Sequence, residues 1–306
     1  MLLRVLVGLV ALGALCLAYG SLVERRWYRL DRRLLDILPA GAPGPISVLH
    51  LSDLHVLAGD RSLARFLASL PRPDVTVVTG DFLGEPEAVE RAVEVVRPVR
   101  GRLASWFVLG SNDLYAPRPM NPLRYFIPPS RRRRRRARRG RAAELVARLT
   151  AEGWTDLDNV RMPTELGGLP VEVAGLHDAH IDRADLGVLL RAAPERFGIA
   201  VMHSPDAAPE AAACGYDLIL AGHTHGGQVR LPLVGALVTN SALPPRLASG
   251  LIRIGGAWLS LSPGLGTSKY APFRFSCRPT AIWLELRAAP VGAAQASETT
   301  RSNTRS

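Results

Sequence analysis

Cysteine is scarce, with three in 306 residues. Cys16 lies in an apolar N-terminal stretch, Cys214 and Cys277 stand far apart, and there is no C-x-x-C pair. This argues against a disulfide scaffold or a zinc ribbon and leaves the cysteines as packing residues. Aromatic residues make up 6% of the chain. None interleaves with the densest basic run, so stacking on bases is not suggested and nucleic acid is not an expected partner. Acidic residues are outnumbered 27 to 38 by basic ones, for a net charge of +11. No internal repeat is present.

What remains is ordinary for a globular protein: 47% apolar and 21% charged residues, with 24 prolines and 28 glycines for turns. The length suits one large core or two small ones. The positive excess is local. Arg131, Arg132, Arg133, Arg134, Arg135 and Arg136 form an unbroken run, continued by Arg138, Arg139 and Arg141, and without these nine the balance is +2. The run is either a device for an anionic surface or substrate, or a solvated basic loop.

From Leu2 to Val23 the chain is apolar apart from glycines, a serine and Arg4, which is long enough to cross a bilayer as a helix. No small-x-small cleavage site follows, so an uncleaved single-pass anchor is expected. Arg25, Arg26, Arg29, Arg32 and Arg33 after it place the remainder on the cytoplasmic side by the positive-inside rule. The expected organisation is an anchor at 1–23, a juxtamembrane linker at 24–44, a catalytic domain at 45–287 with an Arg/Pro-rich loop at 115–141, and a disordered tail at 288–306.

Within the domain, short apolar runs end in polar residues. Ile46–Leu51 leads to Asp53 and His55, Val75–Val78 to Gly80-Asp81, and Trp106–Leu109 to Asn112. Ile199–Met202 leads to His203, and Leu218–Ala221 to His223 and His225. Val171–Leu176, Trp258–Leu261 and Ile282–Leu286 complete the expected strands. Continuous apolarity fits strands buried on both faces. Helix-like stretches at 61–70, 86–96, 142–152, 185–193 and 209–214 alternate with them, which reads as an α/β fold. In such folds ligands gather beyond the carboxyl ends of strands.

Each motif is weak alone. Asp53-x-His55 arises by chance, Gly80-Asp81 is commonly a turn, and His223-x-His225 is the sharpest of the set. Together they offer two carboxylates, four histidines and one amide, too many for one tetrahedral ion. They suit two divalent ions sharing a bridging carboxylate, drawn from Mn, Fe, Zn or Co. Such a pair is a device for phosphoryl transfer, in which a bridging hydroxide attacks while both ions hold phosphate oxygens.

The order D-x-H, G-D, a G-N-type loop, a lone His and G-H-x-H resembles the calcineurin-like metallophosphoesterase superfamily over roughly Val48 to Phe275. Gly222-His223-Thr224-His225-Gly226-Gly227-Gln228 and Ser262-Pro263-Gly264-Leu265-Gly266 look like its membrane-anchored bacterial branch. The resemblance implies a four-layer α/β/β/α sandwich of two mixed sheets after one transmembrane helix. It implies that Asp53, His55 and His225 hold one metal, that His203 and His223 hold the other, that Asp81 bridges, and that Asn112 completes the second site. One departure stands out: where the family reads Gly-Asn-His-Asp or Gly-Asn-His-Glu, this chain reads Gly110-Ser111-Asn112-Asp113. Either Asn112 or Ser111 then serves as ligand, with Asn112 favoured because an amide oxygen is the better neutral donor. The leaving-group proton then comes from His177, His180 or a metal-bound water, unless the substrate has a leaving group good enough to need none. The expected catalytic set is Asp81, Asn112 and His180. The expected activity is hydrolysis of a phosphomonoester, phosphodiester or pyrophosphate bond in a phosphorylated small molecule or phospholipid-like substrate. The alternative is a degenerate phosphoesterase fold that docks on anionic membrane or nucleic acid through its arginines.

Overall fold

A strand sends successive side chains to opposite faces, so a strand that is apolar throughout must be covered on both sides. That requirement builds this fold. The protein was studied as a computed structural model, which describes residues 1–119, 138–231 and 233–290. In chain order the elements are α1 (Leu2–Leu22), β1 (Arg29–Leu38), β2 (Ile46–Leu51), α2 (Ser62–Ala68), β3 (Val75–Thr79), α3 (Val89–Val96), β4 (Ala104–Val108), α4 (Ser111–Leu114), α5 (Ala142–Ala151) and β5 (Thr155–Asp156). There follow β6 (Val160–Leu166), β7 (Leu169–Leu176), β8 (Phe197–Met202), α6 (Ala208–Ala213), β9 (Leu218–Ala221), β10 (Arg230–Leu231), β11 (Gly235–Ala236), β12 (Gly250–Ile254), β13 (Ala257–Leu261) and β14 (Thr280–Ala288).

Two six-stranded sheets carry the molecule, in the orders β1-β14-β2-β3-β4-β5 and β12-β13-β9-β8-β7-β6. Both are mixed. β2, β3, β4 and β5 are mutually parallel, as are β7, β8, β9 and β13, while β14 runs antiparallel to β2. The alternation sorts side chains into layers. Val48 and Val75 point between the sheets and meet Val173, Ile199 and Leu220 from the other side. Leu49, Leu51 and Val78 point outward and pack with Leu67, Val93 and Leu149 of α2, α3 and α5. Beyond the second sheet, Ala200, Ile219 and Leu259 pack with Ala208 and Ala211 of α6. The result is a four-layer α/β/β/α sandwich, with a buried His50 joining the sheets. Its ring nitrogens lie 3.1 Å from Ser260 Oγ of β13 and 3.1 Å from Thr79 Oγ1 of β3.

Two segments differ from the expectation. Residues 24–44 are not a linker. β1 pairs in parallel with β14 along the sheet edge, Arg29 opposite Thr280, and buries Leu35 and Leu38 between the sheets. Its charged residues obscure the pattern because an edge strand meets solvent on one face. The helix expected at 185–193 is a single 3₁₀ turn, Leu186–Leu189, closed by Asp185 accepting from Gly187 N. The basic excursion leaves and re-enters at one point, where Tyr115 bridges Arg139 and Gly140 N donates to Leu114 O at 2.7 Å. Arg131 to Arg136 and the tail from 291 lie outside the described residues.

α1 is long and apolar enough to cross a membrane and packs none of its apolar length into the protein. Its last turn is fastened to the domain. A side chain at Gly20 would collide with Arg274 O, Arg274 N donates to Gly20 O, and the buried Glu24 carboxylate accepts from Ser276 N (3.0 Å) and Cys277 N (2.5 Å).

Candidate metal centre

The parallel strands of both sheets end on the same side, and the loops leaving them converge there. Backbone hydrogen bonds lace the loops together. Asp53 N donates to Gly80 O, His55 N to Asp81 O, Gly222 N to His203 O and Gly266 N to Asp53 O. The turns are tight enough to force left-handed backbone on five residues that are not glycine: Asp53 (φ 48°), His55 (φ 42°), Asp81 (φ 54°), His223 (φ 70°) and His225 (φ 50°). Each costs on the order of 1–2 kcal/mol for an L-residue. Five such residues around one point are strain held in place by the surrounding scaffold. Gly110 is required by close approach, since a Cβ there would lie 2.3 Å from Asp81 Oδ1.

The side chains form two groups that share one carboxylate. In the first, His225 Nε2 lies 3.3 Å from Asp53 Oδ1 and 3.2 Å from His55 Nε2. One ligating atom from each of Asp53, His55, Asp81 and His225 falls within 4.8 Å of the others. In the second, His223 Nδ1 lies 3.2 Å from His203 Nε2. Asp81 Oδ2 stands between the groups, 3.6 Å from His55 Nε2 and 3.7 Å from His203 Nε2. Asn112 reaches the same carboxylate, its backbone N donating to Oδ1 (2.8 Å) and its amide to Oδ2 (2.5 Å). The structure therefore brings together Asp53, His55, Asp81, Asn112, His203, His223 and His225. His180 sits beside them, its ring centroid 4.5 Å from that of His223. His177 does not face this cluster, and its Nε2 lies 3.7 Å from Asp158 Oδ2.

The electrostatics match a cation site. Burial alone would raise the carboxyls of Asp53 and Asp81. The surrounding histidines outweigh it: His225, His203 and His55 at Asp53, and His203 and His55 at Asp81, so both carboxyls are held below the ordinary range. Burial pulls His203 down, yet Asp81, Asp178 and Asp53 together push it up to about 10. His225 is pushed down to about 3, mainly by burial. The pocket thus gathers two carboxylates held in their charged form among buried imidazoles, a setting that attracts positive charge. Asp53 Oδ1 is buried with no hydrogen-bond partner, and two pairs of imidazole nitrogens face each other at 3.2 Å. Buried polar atoms left in this way call for a partner. A divalent ion held by Asp53, His55, Asp81 and His225 would supply one, and the donor set suits transition metals.

Several supporting residues escaped the sequence reading. Ser52 Oγ donates to Asp53 Oδ2 at 2.5 Å, and Thr79 O lies 2.7 Å from His203 Nδ1, fixing which nitrogen of that ring faces the cluster. Asp113 is fully buried, receives Leu83 N and Gly110 N, and is pushed up to about 8 by burial and then by the charge of Asp81. Asp178 is fully buried with one oxygen unpartnered. It follows the end of β7 as Asp53 follows β2, a signal the strand-end rule could have used.

The calcineurin-like phosphoesterase profile matches residues 46–227. The chain belongs to that family. This metallophosphoesterase, a hydrolase of phosphoric esters, is 26% identical over 258 residues to an uncharacterized metallophosphoesterase of Bacillus subtilis, YkuE, covering 80% of this chain and 79% of that one. It is 26% identical over 274 residues to the phosphodiesterase YaeI of Escherichia coli, covering 88% and 92%. It is also 27% identical over 254 residues to a transmembrane protein with a metallophosphoesterase domain from Bos taurus, covering 80% and 54%.

Proposed function

We propose that this metal-dependent phosphoesterase works through a dinuclear centre, with Asp53, His55 and His225 holding one ion, His203, His223 and Asn112 holding the other, and Asp81 bridging them. The observation that carries this reading is the place of Asp81 Oδ2, nearly equidistant from His55 Nε2 and His203 Nε2. When bound, two divalent ions supply positive charge for phosphoryl oxygens and lower the pKa of an attacking water. The chain's own residues set the rest. Ser52 and His223 N hold Asp53 Oδ2, which leaves Oδ1 for the cation. Asn112 fixes the rotamer of Asp81 through two hydrogen bonds. His180, beside His223 and reached from the Asp178 turn, is the residue placed to hand a proton to the leaving oxygen, the task left open by the missing histidine at position 112.

Metal analysis of the purified full chain is the direct test, with about two ions per chain expected. Turnover of a nitrophenyl phosphodiester with added manganese should be lost in both Asp81→Ala and His223→Ala. Unchanged turnover in both variants would overturn the assignment. The arginines at 25, 26, 29, 32 and 33 support a cytoplasmic placement of the domain.

A further inference from the structure

Beside the metal centre lies a cavity of about 570 Å³ whose walls are rich in arginine. Arg25 and Arg26, which follow α1 directly, line it together with Arg61, Arg65 and His55. Asp60 also lines the cavity, where it caps α2 by accepting from Ser62 N and Leu63 N, so four guanidinium groups stand there with a single carboxylate. Arg25 Nε is buried with no partner. Burial and then the charge of Arg26 press the Arg25 guanidinium below its ordinary value, the mark of a positive group crowded by another. A guanidinium with an unpartnered N–H suits a phosphate oxygen.

The cavity also has a fixed relation to the anchor. Gly20 and Glu24 are bonded to Arg274, Ser276 and Cys277, and the Cys277 thiol contacts His225 O at 3.4 Å. A short, buried chain of contacts thus runs from the end of α1 to a residue of the metal centre. Next to this clamp, Tyr19 meets Phe275 edge-on and Arg230 N donates to Phe275 O. Arg230 begins the β10–β11 hairpin, whose Leu231, Leu233, Val234 and Leu237 are all exposed, Leu233 completely. An apolar tip beside a membrane helix fits a lipid surface.

We propose that the substrate is a phosphoester lipid lying in the same membrane as α1, its head group drawn into the arginine cavity and its phosphorus set against the carboxylate–histidine centre. This rests on the phosphoesterase reading above and narrows its substrate. The reaction needs water alone: the water oxygen bonds to phosphorus as one P–O bond breaks, and a water proton passes to the departing oxygen.

The test compares two esters with the same nitrophenyl leaving group, using the full chain in phosphatidylcholine–detergent mixed micelles with manganese. One is soluble methyl p-nitrophenyl phosphate and the other is the p-nitrophenyl ester of dioleoylphosphatidate. The wild-type kcat/KM for the lipid ester should exceed that for the soluble ester by about tenfold or more, and kcat/KM for the lipid ester should fall about tenfold in R25Q/R26Q and, independently, in R61Q. A wild-type ratio near one, or a lipid-ester kcat/KM that neither variant moves, would overturn the proposal. A wild-type protein that cleaves neither ester would overturn the phosphoesterase reading on which it stands.

Discussion

At the scale of single residues, His50 shows how burial becomes a pH response. Its ordinary value near 6.5 is pushed down to about 3, chiefly by burial between the sheets. The unfolded chain therefore takes up a proton as pH falls through about 6.5, and the folded chain refuses it until about 3. The stability contributed by the neutral ring is complete above the upper value and is lost as pH falls toward the lower one. Denaturant unfolding at about pH 7 and about pH 5 should show lower stability at the acid end. His50→Gln, which can still reach Ser260 and Thr79, should flatten that slope. A slope unchanged in the variant would mean that other groups carry the acid response. His50 also shows what a sequence hides, since it stands three residues before Asp53 and looks like one more ligand, yet its side chain points between the sheets. The seven residues proposed for the metal centre stand out in the sequence because each follows an apolar strand. Asp113 does not, because a carboxylate that accepts backbone N–H groups inside a turn is written like a surface turn.

At the scale of elements, the decisive joint is the clamp between α1 and the 274–278 segment. Glu24 is 1% exposed and satisfies two backbone N–H groups there. Glu24→Ala would take the acceptor from both, at a cost of about 1–3 kcal/mol for the N–H of the buried Cys277, while the exposed Ser276 can turn to water. The thermal midpoint of the detergent-solubilised protein should drop by several degrees, with Glu24→Gln, which keeps one acceptor oxygen, falling between variant and wild type. Equal midpoints for all three would show that the contact contributes nothing. No sequence pattern announces this joint, because it links positions some 250 residues apart. The central strands were readable for the opposite reason: β2, β3, β8 and β9 are covered on both faces and therefore mostly apolar. β1 and β6 lie at sheet edges, and their mixed burial gave no continuous run to recognise.

At the scale of the whole molecule, the candidate metal centre draws its side chains from both sheets. Asp53, Asp81 and Asn112 come from loops of the first sheet, and His203, His223 and His225 from loops of the second. An ion held by both should act as a rivet. Chelation should lower the thermal midpoint by several degrees and readdition of manganese should restore it, in line with the linkage between ligand affinity and stability. A midpoint indifferent to chelator would show that the centre contributes no cohesion.

The neighbourhood of β1 and β14 has a consequence for biosynthesis. β1 finds its hydrogen-bonding mate in a strand made 251 positions later, Arg29 beside Thr280. The first sheet therefore cannot close at that edge until β14 has been made, while the apolar helix ahead of β1 is free to engage a bilayer. Closure of the domain comes after α1 has had its chance to insert, with a gap in the sheet held open for a single distant strand.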